Sequence, residues 1–310
     1  MDARVIQEKS ALQQSRQAWL YGGLGMTGFS LTLPMTRLAI TVIDPLLVGL
    51  GRALVAAALA FIALYVTRQK IPSLRYWWRF ALVGGGVVIG FPLLSSLAMK
   101  HVPAVHGAVI TGLVPIATAL VATVRGGERP SLGFWCSSIA CCVLVLVFAY
   151  QAAGARLQFA DIAMIGAVLA AGIGYAEGAS LARIFGHWQV ICWALLLSAP
   201  VIAVIIACRC LIFTQPVSTP VFSAATLAGW GAFIYVSVIS MFAAFMLWYR
   251  GLAIGGTAAV GQLQFLQPFL TILAATLIFG EALQSSVVVF ALGIALLLFL
   301  GRYSPTWMDK

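Results

Sequence analysis

The sequence predicts an all-α membrane protein with ten transmembrane helices arranged as two inverted five-helix repeats. Three observations lead there. The first is composition: 62% of the 310 residues are hydrophobic and 8% are charged, whereas a soluble domain carries roughly 25% charged residues. So few charges cannot cover a water-facing surface. The second is apolar runs of about 18 or more residues along the whole chain, the mark of membrane-crossing helices. The short alternating segments of a β-barrel are not seen. The third is an internal repeat. A shift of 153 residues lays "HGAVITGLVPIATALVATVRGGE" (106–128) over "AVGQLQFLQPFLTILAATLIFGE" (259–281), with Pro115 on Pro268, Gly127 on Gly280 and Glu128 on Glu281. At a slightly different offset "GLGMTG" (23–28) pairs with "GIGYAEG" (172–178). The repeats span 18–150 and 159–302, and because five is odd the second must sit upside down relative to the first.

The elements follow in order. Residues 1–17 are polar, and the first apolar segment, 18–38, has no cleavage site behind it, so it is an uncleaved helix. Segment 45–67 opens on "IDPLL", with Asp44 as N-cap and Pro45 at the first helical position. Segment 76–97 begins at "RYWWRF", where Trp77 and Trp78 suit a membrane interface. The glycines at 84–86 and in "GLGMTG" suit close helix packing rather than a dinucleotide loop, since no strand precedes them. Segments 104–124 and 131–150 are separated by the turn "RGGERPS" and followed by the turn "QAAGARLQF". Segments 160–184, 188–212, 224–249, 256–279 and 283–302 complete the set, joined by short connections that leave no large extramembrane domain.

The net charge is +10, and topology accounts for it. With the N-terminus inside, Arg37, Lys100, Arg156 and Arg209 fall outside and Arg52 within the membrane. The other 13 of the 18 Lys and Arg then fall inside. That bias puts both termini in the cytoplasm. No basic cluster is interleaved with aromatics, which excludes nucleic acid as a partner. The six cysteines form no C-x-x-C pair and read as small apolar residues. There is no Walker A lysine, H-E-x-x-H or G-x-S-x-G motif, so the sequence predicts no cofactor, no metal and no hydrolase chemistry.

The polar residues inside apolar segments are the candidates for function. Gln262, Gln264 and Gln267 stand in "QLQFLQP". An unpaired amide buried in hydrocarbon costs on the order of 2–7 kcal/mol, so these side chains must face protein or a wet cavity. Pro268 lacks an N–H, which is expected to free the carbonyl of Gln264, and Pro115 frees that of Thr111 in the same way. The repeat places Thr111 opposite Gln264, so the two could line a substrate cavity; the alternative is interhelical hydrogen bonding. Glu177 is the one carboxylate well inside an apolar segment. It could carry a coupling proton or bind a substrate ammonium, or it could pair structurally with Arg183 or Arg52. Arg52 reads as a brace between helices. Tyr175 and Tyr235 could line the cavity or pack in the core, and Trp248, near a helix edge, is ambiguous. His106 could titrate near neutral pH or simply cap a helix end. Glu128 and Glu281 suit capping of the helices that follow them.

Two stretches, "SLAMKHVPAVHGAVITGLVPIATALVATVRGGERPS" and "RGLAIGGTAAVGQLQFLQPFLTILAATLIFGEAL", resemble the two copies of the EamA-type repeat of the drug/metabolite transporter superfamily. Arg37 in "LPMTRLAI", Arg52 in "LGRALVAAAL" and Arg183 in "SLARIF" match that family too. The resemblance covers nearly the whole chain and implies ten helices, inverted halves and cytoplasmic ends. It also implies export of amino acids or other small metabolites across a bacterial inner membrane, with the aromatic amino-acid exporters as the branch to compare. The three-glutamine run departs from the family pattern. Inverted repeats set the substrate site near the midplane where the halves meet, and alternating access would work around it. The partners expected are a small-molecule substrate and membrane lipid, with no obligate protein partner. An integral membrane enzyme acting on lipid-linked substrates, and a receptor or lipid-flipping protein, are the other classes. The first would need converging catalytic groups, and one buried acid is little support for it.

Overall fold

The computed structural model of the chain describes residues 3–102, 104–153, 159–212, 224–279 and 285–302. Those residues are almost wholly helical and contain no strand. In chain order the helices are α1 (Ala3–Ser30), α2 (Thr32–Ala39), α3 (Leu47–Val66), α4 (Leu74–Met99), α5 (Ala104–Thr111) and α6 (Val114–Gly126). Then come α7 (Leu132–Ala153), α8 (Phe159–Phe185), α9 (His187–Ile212), α10 (Thr226–Gly255), α11 (Thr257–Phe279) and α12 (Ser285–Arg302). Among the described residues six stretches are long and apolar enough to cross a membrane: α3, α4, α10, α11, and α8 and α9 over Ala160–Phe185 and His187–Arg209. The chain is therefore an all-helical, multi-pass membrane protein.

The apolar segments of the sequence are helical to within a few residues at their ends. Asp44 caps α3 as expected: its Oδ1 accepts the N–H of Leu46 at 2.9 Å. One difference is at the start. The polar residues from Ala3 onward extend α1 well before the first apolar run, because Gln, Glu, Lys, Arg and Ala are good helix formers whatever they face.

Regular α-winding fails at a few places, and most have a proline just ahead. The first rod breaks at Leu31, before Pro34, and α5 stops two residues short of α6, before Pro115. In α11, residues Gln262–Leu266 tighten to a 3₁₀-helix before Pro268. Two wide π-helical stretches, Gly84–Gly90 in α4 and Tyr235–Ala243 in α10, overlap when the chain is shifted by the same 153 residues that align the repeat. Segments wound at i→i+5 inside helices concentrate at functional sites.

Packing follows the small residues. Helix α1 runs along α10, and α8 runs along α4. A Cβ on Gly25 would lie 2.8 Å from the backbone nitrogen of Trp248, and one on Gly86 would lie 2.9 Å from that of Gly174, so both seams close backbone to backbone. Helix α3 pairs with α9, α11 lies on α5 and α6, and α12 lies on α7. Trp248 is fully buried in the α1 seam rather than at an edge. The Tyr249 hydroxyl, equally buried, donates to the Gly174 carbonyl at 3.1 Å and ties α10 to α8.

Candidate functional site

At mid-depth, where the irregular stretches of α4 and α10 face α1 and α8, the helices leave a small polar cavity. Arg52, Thr32, Ser240 and Gln267 bring polar groups to it. Phe29, Phe91, Tyr175 and Phe245 form its aromatic walls. Phe29 touches Phe245 edge-on with ring centroids 4.8 Å apart, and Tyr175 lies 5.9 Å from Phe245. Thr32 and Ser240 satisfy one another with hydroxyl oxygens 2.7 Å apart. The cavity measures about 20 Å³, room for about one water, so this conformation is closed to any larger solute.

Arg52 differs from every other polar group there. It is 1% exposed, and among the described residues its Nε and Nη1 have no hydrogen-bond partner. A brace between helices, as expected from the sequence, would need hydrogen bonds at its head, and neither Nε nor Nη1 makes one among the described residues. The reason is position: Arg52 follows directly on the π-wound opening of α3, Leu47–Gly51, which turns its side chain into the cavity.

The three glutamines divide. Gln267 lines the cavity. Gln264, 2% exposed, donates from Nε2 to Gln267 Oε1 at 3.5 Å, while its own Oε1 has no partner. Gln262 turns away and donates to the Ser138 hydroxyl on α7 at 2.9 Å, an interhelical tie. The freed carbonyl expected at Gln264 is corrected: the 3₁₀ winding lets the N–H of Gln267 bond to it, one residue before the proline that cannot. Thr111 is buried, donates to the carbonyl of Ala108 in its own helix at 2.6 Å, and is not among the cavity residues. Tyr175 is in the wall. Tyr235 donates instead to the Gly28 carbonyl at 3.0 Å, between α10 and α1. The side chain of His106, and the whole of Glu281, lie outside the described residues.

A second constellation lies at one end of the helices. Glu177, 3% exposed, is held between two arginines. Arg79 Nε donates to its Oε2 at 2.8 Å, Arg125 Nε donates to its Oε1, and Arg79 Nη2 also donates to Ser180 at 2.8 Å. The guanidinium of Arg125 rests over the Trp78 ring at 5.3 Å. The expected partners of Glu177, Arg183 and Arg52, are therefore corrected. Arg183 pairs with Glu128 at 2.8 Å. Glu128 in turn accepts the backbone N–H groups of Thr257 and Ala258 at 3.0 and 2.9 Å. It caps α11, far away in the chain, rather than the helix that follows it. Burial pushes the Glu128 carboxyl up, but the N–H groups of Ala258 and Thr257 and the Arg183 guanidinium outweigh burial and hold it below its usual range. Sequence reasoning missed Arg79 and Arg125. No local signal pointed to them: Arg79 stands near the start of α4 and Arg125 near the end of α6, both far along the chain from Glu177.

A larger recess of about 210 Å³ between α4 and α9 is lined by Pro72, Trp77, Phe80, Trp193, Leu196 and Pro200, among others. Its hydrogen-bonding side chains are two indoles, Trp193 and Trp77, and Trp77 already donates to the Pro72 carbonyl at 3.0 Å. The rest of its lining is apolar, with no charged group to orient a polar ligand. Among the described residues no three His, Cys, Asp or Glu side chains gather as metal ligands.

Comparison with known proteins agrees with this arrangement. The EamA-like transporter family model matches residues 17–150 and again 158–301. The chain is 43% identical over 270 residues to the uncharacterized transporter YdeK of Bacillus subtilis (strain 168), covering 87% of this chain and 91% of that one. A solved structure described only as the crystal structure of a protein superposes with a TM-score of 0.72 over 92% of this chain and 98% of its own, at 18% identity, a likeness of fold alone. A chain matched twice by one family model, helical over nearly all of its described residues and closing around a buried cavity, belongs to the EamA-like transporter family and is a membrane transporter.

Proposed function

We propose that the protein exports amino acids or similar small metabolites across the bacterial inner membrane by alternating access. The cavity lies at the interface of two inverted five-helix halves. The observation that carries this reading is the closed cavity itself, at mid-depth and built from both matched segments: Arg52 and Phe29 come from one, Tyr175, Ser240 and Gln267 from the other. The pairing of helices supports the inverted repeat. Exchanging the halves turns the α1–α10 contact into the α8–α4 contact and leaves α3–α9, α6–α11 and α7–α12 paired as before. The coincident π stretches support it again. The excess of Lys and Arg on one side supports cytoplasmic termini. On that reading the Glu177 and Glu128 constellations close the cytoplasmic end.

Purified protein in liposomes tests the proposal. Labelled amino acids should accumulate by counterflow against the same unlabelled amino acid inside, and should not in liposomes without protein. Absence of counterflow across a full panel of amino acids would remove the substrate class.

A further inference from the structure

Among the described residues, Arg52 is a buried cation with no counter-ion. Guanidinium stays charged in proteins, and an intramembrane charge is stable only when it is paired or wetted. Three of the described carboxylates are engaged with other arginines: Glu177 with Arg79 and Arg125, Glu128 with Arg183, and Asp44 with Arg209. The Arg52 head instead opens on the cavity, whose walls include Phe29, Phe91, Tyr175 and Phe245 and whose Gln267 accepts from Gln264 through its Oε1. The hydroxyls of Thr32 and Ser240 already satisfy one another. The unmet demand in this cavity is therefore for an anion, and the surface around it is aromatic.

We infer that Arg52 binds the carboxylate of the transported solute, and that the aromatic walls hold an apolar or aromatic group attached to that carboxylate. This deepens the transport reading and rests on the cavity being the solute site. A planar guanidinium matches a carboxylate edge to edge with two parallel N–H···O bonds, which a point charge cannot do. A small molecule with an acid at one end and a ring at the other satisfies both features at once. It needs the cavity to widen, and the two π stretches and the 3₁₀ stretch of α11 are where the lining helices are irregular.

The test uses the full chain in detergent. Thermal unfolding is followed while L-phenylalanine, 3-phenylpropionate, phenylalaninamide or sodium chloride is titrated. The two acids should raise the midpoint, and the amide and chloride should not. Arg52→Gln should weaken the response to both acids roughly 10- to 100-fold, the effect of one lost charged hydrogen bond. Arg52→Lys should recover only part of it. The contrast of acid with amide is read on the unaltered protein, so it decides the matter even where Arg52→Gln does not fold. Four results would each overturn the inference: no response to either acid, an equal response to the amide, a full response to chloride alone, or a folded Arg52→Gln protein that binds the acids undiminished. Counterflow of labelled L-phenylalanine separates this inference from the function proposed above. Acid binding through Arg52 without counterflow of any amino acid leaves the carboxylate site standing and removes amino-acid export. Counterflow indifferent to Arg52 does the reverse.

Discussion

Ala258 donates its backbone N–H to the carboxylate of Glu128 at 2.9 Å, joining residues 130 positions apart in two different family-matched segments. The bond caps a helix with a side chain from the other half. On the proposed alternating-access reading, it would report on whether that end of the molecule is shut. Because its pKa is lowered in the folded protein, Glu128 contributes stability that is fully present above its ordinary value of 4.5 and is lost as pH falls through the lowered value. Glu128→Gln should cost about 0.5–2 kcal/mol at pH 7, the scale of a lost cap. The gap from the unaltered protein should narrow on acidification below about pH 4.5. Thermal unfolding across pH 3.5 to 8 checks both, and a gap independent of pH would show that the charge is not involved.

Glu177 between Arg79 and Arg125 is a stronger tie, since its carboxylate is buried. Glu177→Gln leaves two guanidinium groups facing one another. It should destabilise by about 3 kcal/mol, the low end for a buried pair broken from one side, because Arg125 is partly exposed. If Glu177 also carries a coupling proton, the variant should lose pH-driven transport and keep exchange at equal concentrations. A latch without proton coupling predicts that both rates change together. Comparing the two fluxes in one liposome preparation distinguishes these outcomes.

The glutamines offer an internal contrast. Gln267→Leu places an apolar branch in the cavity wall and should weaken solute binding about tenfold or more with little change in folded yield. Gln262→Ala removes the bond to Ser138 and should cost about 0.6 kcal/mol of stability, while leaving affinity unchanged. Competition transport assays and detergent unfolding on the same two variants give the comparison. Reversed effects would move the solute site toward α7.

Reporter fusions placed after Arg302 and within 125–131 should read cytoplasmic, and one within 151–158 should read external, from the excess of Lys and Arg on one side. A cytoplasmic signal at 151–158 would break the inverted arrangement.

What was legible in the sequence was local. Apolar length marked the helices, Asp44 and Pro45 marked a helix start, and one offset aligned Pro115 with Pro268. What was not legible depended on contacts between distant segments. Nothing near Glu177 in the chain announces Arg79, and Glu128 looked like a cap for its neighbour because the helix it serves lies 130 residues on. The freed carbonyl expected at Gln264 failed for a different reason. It was judged at α-helical winding, but Gln262–Leu266 is wound three residues per turn, which brings the Gln267 N–H to it. Gln264 and Gln267 then stand one above the other, and Gln262 is carried off to α7. Arg52 was read as a brace between helices, and nothing local in the sequence could show that its Nε and Nη1 are left without partners among the described residues.

The π-wound stretches of α4 and α10 carry a mechanical consequence. Winding at i→i+5 packs a surplus residue into a helix without severing its ladder, and that surplus is slack. Passing it along the rod by successive exchange of hydrogen bonds turns the stretch it crosses by about 100°, the angular step of one α-helical residue, and leaves the two ends as they were. The rod never comes apart while this happens. Gly84, Gly85 and Gly86 sit at the head of the slack in α4, and Ser237 and Ser240 stand within that of α10. Such a helix behaves as a swivel rather than a hinge: the ends can keep their seats in the lipid while the middle turns a different face toward whatever lies at the centre.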